Sequence, residues 1–179
     1  MRYFELFSIP VNYDVDLQEI GVRYLELQRA AHPDRHSGGS EREKLLAVQK
    51  TAEINDALQT LKHPLKRAEY MLAELGVEIR GEQQTLQDPM FLMQQMELRE
   101  ELEDIRACGS ASGDVDSAIA RFERHIKELD GEYSNELQGL LASSDENDWQ
   151  KAADNVRKLK FVYKLKDELE RIEDELFDE

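Results

Sequence analysis

The chain holds a single cysteine, Cys108. That excludes an internal disulfide framework and a zinc site built from thiolates. Prolines number only four, and no segment alternates convincingly or is rich in Val, Ile and Thr, so a strand-rich fold is not expected. No apolar run approaches the roughly 18 residues of a membrane span, and membrane insertion is not expected. The opening "MRYFELFSIP" lacks the long apolar region and small-residue cleavage site of a secretory signal. A cytoplasmic protein is the expectation. Aromatic residues make up 7% and hydrophobic residues 40%, enough for a modest core in one or two domains.

Negative charge is what the chain has in excess: 39 acidic against 23 basic side chains, a net −16. It is unevenly spread. Residues 1–75 carry 12 acidic and 10 basic side chains, whereas residues 76–179 carry 27 and 13. The second part would repel phosphate backbones, which argues against nucleic acid as a partner. It suits a basic protein surface, or it is an ordinary solvated helical face.

Helical spacing runs almost throughout, and an all-α fold is expected. Asp16 and Glu19 stand at capping-box spacing, and Leu17, Ile20, Tyr24, Leu27 and Ala31 follow at steps of three and four. A second stripe runs through Ala47, Thr51, Ile54, Leu58 and Leu61 to His63-Pro64, and Pro64 opens a short helix that Gly76 closes. This predicts an antiparallel helical hairpin with short flanking helices over 1–75. Residues 76–88 read as a linker. Helices over about 89–107, 114–141 and 146–177 then predict an antiparallel three-helix bundle within 89–179.

Two of the four histidines, His32 and His36, fall where the first long helix meets Pro33. Proline ends the helix and pushes His32 out of helical geometry, so His32 and Asp34 are displayed at an exposed helix end, before a loop containing Gly38 and Gly39. Four readings follow from these residues. They form a docking site; His32, Asp34 and His36 ligate a metal, though no fourth ligand has recognisable spacing; His32 and Asp34 belong to a hydrolytic site, though no nucleophile motif accompanies them; or the proline stops a helix beside incidental neighbours.

"YLELQRAAHPDRH", followed by a loop and "AEINDALQTLKHPLKRAEYML", resembles the J domain of the DnaJ co-chaperone family over residues 1–75. The resemblance implies that His32, Pro33 and Asp34 engage the ATPase of a 70-kDa heat-shock chaperone and trigger hydrolysis. It also implies that Arg23 and Arg29, with Arg35 beyond the tripeptide, help to dock it. Asp34 can accept paired hydrogen bonds from an arginine, and exposed cations steer association with an acidic partner.

In "DPMFLMQQMELREELEDI", residues 88–105, Phe91, Leu98, Leu102 and Ile105 fall within a sector of about 60° at helical periodicity, the expected core stripe. Leu92, Met93 and Met96 lie about 100–200° from Phe91, with Glu100 among them and Glu97 and Asp104 bordering them. A second apolar patch framed by carboxylates fits an adaptable protein-binding surface. The competing reading buries the helix on both sides, against which those carboxylates argue. Phe161 points about 160° from the stripe formed by Ala152, Val156, Leu159 and Tyr163 in the last helix, so it either joins the patch or is buried by the apolar shift that begins at Leu165.

"FLMQQMELREELEDI" and "NVRKLKFVYKLKDELE", with "YFELFSIP" and "HPLKRAEY", are similar to the HscB family, J-type co-chaperones of bacterial iron–sulfur cluster assembly. The resemblance implies two partners, an HscA-type heat-shock ATPase and an IscU-type cluster scaffold, and no cofactor or enzymatic activity of its own. It implies scaffold binding through Leu92, Met93, Met96, Glu97, Glu100, Asp104 and Phe161. A J protein with a different client is the alternative. No Gly/Phe-rich region or Cys-x-x-Cys module is present, and Cys108 alone gives no obvious way to ligate a cluster.

Overall fold

The structure, a computed structural model, describes residues 1–79, 88–108 and 113–178. Among the described residues all regular structure is helical: α1 (Arg2–Leu6), α2 (Leu17–Ala31), a one-turn 3-10 helix (Pro33–His36), α3 (Glu41–Lys62), α4 (Pro64–Glu74), α5 (Pro89–Cys108), α6 (Asp114–Ala142) and α7 (Glu146–Phe177). The three long helices match the expected spans to within a residue. Most of the expected linker lies outside the described residues.

Local chemistry sets the helix ends. Asp16 accepts hydrogen bonds from the amides of Gln18 and Glu19 and so caps α2. Glu19 does not complete the expected capping box; its carboxylate lies 3.6 Å from Arg23 instead. The reciprocal box forms at α3, where Ser40 Oγ accepts from the Glu43 amide and Glu43 Oε2 accepts from the Ser40 amide, both at 3.3 Å. A Cβ on Gly39 would stand 2.2 Å from Glu43 Oε2, so the glycine clears the path of that carboxylate. Gly76, at φ +86°, ends α4 in a Schellman motif: the Val77 amide bonds Leu72 O at 2.8 Å and the Gly76 amide bonds Ala73 O at 3.0 Å.

α2 and α3 pack as a hairpin closed by α1 and α4. Phe4, Phe7, Ile20, Ile54, Leu61 and Leu72 are fully buried there. The α2 stripe is shorter than its spacing predicts: Leu17, in the first turn, is 56% exposed. In α6 the buried stripe runs from Val115 to Leu137 as expected and then passes to Leu141 rather than Leu140. Steps of three or four both fit a 3.6-residue period.

The two halves share one core. α4 packs on α6 and α7, and the buried cluster runs without a break from Phe4 to Ile172. Arg67 of α4 lies at this seam. It is 7% exposed, its Nη1 donates to Leu61 O at 2.6 Å, and its guanidinium sits 5.0 Å from the Tyr13 ring centroid. Burial pushes Arg67 below its usual pKa, opposed by Tyr13, Asp14 and Tyr163. Beside it the His63 ring stands 5.8 Å from that of Tyr163, and Lys160 reaches Glu69 at 2.5 Å. Tyr163, expected in the α7 bundle stripe with Ala152, Val156 and Leu159, therefore turns toward the first half instead.

Arg67→Ala removes a charge-assisted bond to a carbonyl and leaves a void beside Tyr13. We expect it to cost roughly 2–3 kcal/mol, measured by urea unfolding followed through Trp149 fluorescence and far-UV circular dichroism.

Candidate functional site

Two sites emerge, one in each half. At the first, Pro33 bars His32 from the α region, and His32 adopts φ −59° and ψ 133°. The chain then turns through the 3-10 helix, with the Arg35 amide bonded to His32 O at 3.1 Å. His32 Nδ1 accepts the Asp34 amide at 3.2 Å, which occupies its lone pair. Asp34 Oδ2 lies 3.5 Å from the same nitrogen. The ring thus holds the turn while leaving Nε2 for other work. Asp34, with a 93% exposed side chain, is fully presented. The base of the turn is braced: Thr51 Oγ1 donates toward Ala47 O at 2.9 Å and stands 3.3 Å from Ala31 O, and Tyr24 donates to Asn55 at 2.8 Å.

The cations around this turn are unequal. Arg29 and Arg35 are exposed, while Arg23 is half-buried and paired with Glu19. Within α2, Arg23 and Arg29 are balanced by Glu19 and Glu26, so the helix has no net charge. The side chains of Pro33 and His36 lie outside the described residues. Among the described residues, no three His, Cys, Asp or Glu side chains converge to hold a metal ion.

At the second site, α5 buries Phe91, Leu98, Leu102 and Ile105 against its neighbours. On its outer side Leu92 is 44%, Met93 62% and Met96 67% exposed, and Glu97, Glu100 and Asp104 are exposed with them. The helix is not buried on both sides. Asp88 fixes its start: Oδ1 accepts the amides of Met90 and Phe91 at 3.1 and 3.2 Å, and Oδ2 accepts from Lys158 at 3.0 Å. Those bonds, led by the one from Lys158, hold the Asp88 carboxyl below its usual pKa.

Phe161 is half-buried, between the two alternatives its spacing allowed. Its ring meets Phe91 edge-on at 5.8 Å, and the Arg99 guanidinium lies 5.7 Å from its centroid. Arg99 is in turn bonded to Glu168 at 3.1 Å. Leu92 stands seven residues before Arg99, on the same flank of α5, so Phe161 borders the end of the patch marked by Leu92. Arg99, Glu168, Asp88 and Lys158 escaped the sequence reading, because ion pairs between distant helices leave no periodic signature.

A family model described as the HSCB C-terminal oligomerisation domain matches residues 87–170. A co-chaperone protein HscB homolog of Photobacterium profundum is 52% identical over 99% of this chain and 100% of its own length. The chain belongs to the HscB co-chaperone family. Another family member, the HscB homolog of Vibrio cholerae, is 50% identical over 98% of this chain and 99% of its own length. The solved structure of chaperone HscB from Vibrio cholerae superposes with a TM-score of 0.81 at 46% identity, covering 99% of this chain and 100% of that one. The crystal structure of the human co-chaperone protein HscB gives 0.80 at 26% identity, covering 99% and 83%. The expected architecture, an N-terminal J domain followed by a helical C-terminal domain, is that of the family.

The α5–α6 contact that supports the patch includes Tyr133, whose hydroxyl donates to Gln94 at 3.1 Å. Burial, assisted by Glu132, Asp88 and Glu136, pushes this phenol from 10.0 up to about 12. A raised folded-state value means its stabilising contribution is complete below pH 10 and is lost as pH rises toward about 12. Tyr133→Phe is expected to lose less stability than the parent across that window, measured by thermal unfolding at stepped pH.

Proposed function

We propose that this co-chaperone acts in iron–sulfur cluster assembly, in the cytoplasm, as an adaptor between an HscA-type heat-shock ATPase and an IscU-type scaffold. Residues 1–75 form the J domain, which stimulates the ATPase. Residues 76–88 form the linker, and residues 89–179 form the scaffold-binding domain. The observation that carries the reading is the apolar patch on α5: Leu92, Met93 and Met96 lie exposed on a helix whose opposite side is fully packed, within a frame of carboxylates. A patch of this kind selects an apolar protein surface with a basic rim.

At the J domain, His32 and Asp34 make the contact, with Arg29 and Arg35 steering the approach and Arg23 contributing less because Glu19 already neutralises it. Asp34 offers both carboxylate oxygens to an arginine of the ATPase. At the scaffold site, Leu92, Met93 and Met96 anchor the client, Phe161 closes the Leu92 flank, and Glu97, Glu100 and Asp104 orient it. The carboxylates contribute less than the anchors and weaken as salt rises.

His32→Gln or Asp34→Asn is expected to abolish stimulation of the ATPase while leaving helical content unchanged, since both side chains stand clear of the core. Steady-state ATP hydrolysis by the cognate chaperone measures it, and normal stimulation by either variant rejects the mechanism. Replacing Leu92 and Met96 together by alanine is expected to cost about 2–4 kcal/mol of scaffold affinity, roughly 30- to 1,000-fold. That variant should remain folded and stimulate the ATPase alone, yet lose the additional stimulation given by scaffold. Unchanged affinity, measured by titration calorimetry, would place the client elsewhere.

A further inference from the structure

The apolar patch does not stop at Met93. Met90, in the first turn of α5, has the most exposed large hydrophobic side chain among the described residues, at 76%. Its backbone is held in place: the Met90 amide donates to Asp88 Oδ1 at 3.1 Å, and Asp88 is itself tied to Lys158 of α7. Met90, Met93 and Met96 are spaced three residues apart on one helix, so each step rises about 4.5 Å, just short of a turn, and falls about 60° short of alignment. The three side chains therefore form an oblique ridge across the outer face of α5, running from Met90 toward the flank of Leu92 and Phe161.

We propose that Met90 is a further anchor for the client, extending the binding surface to the side of α5 opposite Phe161; the inference rests on the scaffold reading given above. Two features of the surface identify the occupant. The ridge is continuous with Met93 and Met96, so a partner seated on those two meets Met90 within one helical turn. The ridge is framed by Glu97, Glu100 and Asp104, and residues 76–179 carry 27 acidic against 13 basic side chains. A second copy of this chain would bring the same acidic surface against itself, whereas a scaffold with basic groups around an apolar centre is complementary. Unbranched thioether side chains adapt to such a surface, and the oblique course of an i, i+3 ridge matches how helical surfaces interlock with a groove.

The chain contains five methionines: Met1, Met71, Met90, Met93 and Met96. Labelling their methyl groups with 13C gives three reporters on the ridge and two away from it, with Met71 buried in the J domain at 3% exposure. On titration with an IscU-type scaffold, the Met90, Met93 and Met96 methyl signals are expected to shift together while Met71 stays in place. Met90→Ala is expected to weaken scaffold binding about tenfold, and Met90→Leu to restore most of the affinity. Movement of Met93 and Met96 without Met90, together with unchanged affinity of Met90→Ala, overturns this inference and leaves the scaffold site standing. Stillness of all three overturns both. Shifts that depend on the concentration of this chain alone, with no scaffold present, overturn it in favour of self-association.

Discussion

Helix α7 packs against α4, α5 and α6, meeting a different neighbour on each side. Ala152, Val156 and Leu159 are fully buried within the bundle, Phe161 meets Phe91 of α5, and Tyr163 meets His63 of the J domain. Three lysines mark the register. Lys158 pairs with Asp88 at the start of α5, Lys160 with Glu69 of α4, and Lys166 with Asp130 of α6. Two of them also lie over aromatic rings: Lys158 over Phe91 and Tyr133, and Lys166 over Tyr163. Partly exposed ion pairs add little stability one at a time. Each joins two particular helices, however, and together they make slippage of α7 by one turn unfavourable.

The same helix explains why the apolar patch on α5 stays open. α5 is packed from one side by α6 and from another by α7, leaving its outer arc to solvent. Tyr133 of α6 bonds Gln94, and His125 of α6 lies 3.1 Å from Glu101, whereas Arg99 on the other flank reaches Glu168 and Phe161 of α7. Leu92, Met93 and Met96 occupy the arc between those flanks. Preorganisation follows, because the helix that presents them is fixed at its start by Asp88 and along its length by its buried stripe. A partner docking there would lose little free energy to ordering the surface it meets.

At the J domain, rigidity comes from the backbone. Pro33 dictates the extended geometry of His32, and the His32 ring accepts the Asp34 amide. The turn is thereby set without using the Asp34 carboxylate, which stays available to a partner. The shared core places this turn and the patch on one continuous body, with Arg67 buried where the halves join.

Much of the fold is legible in residue spacing. Helix ends follow from Pro33, Pro64, Gly76 and the capping residues, and the α6 stripe follows from one apolar residue every three or four. These are local rules, so a sequence states them directly. The His-Pro-Asp display was legible for the same reason, since proline restricts its own neighbours. The patch on α5 was legible as a second apolar arc opposite the expected core stripe, but only the packing of the other helices showed that it stays exposed. Tertiary structure decided what local periodicity leaves degenerate. Glu19 turned to Arg23 instead of closing its capping box, Tyr163 went to the J domain, and Phe161 came to rest half-buried between Phe91 and Arg99. A helical wheel gives the direction of each side chain but not the neighbour waiting there. For α7, apolar on several sides, that neighbour is chosen by the packing of all the other helices at once.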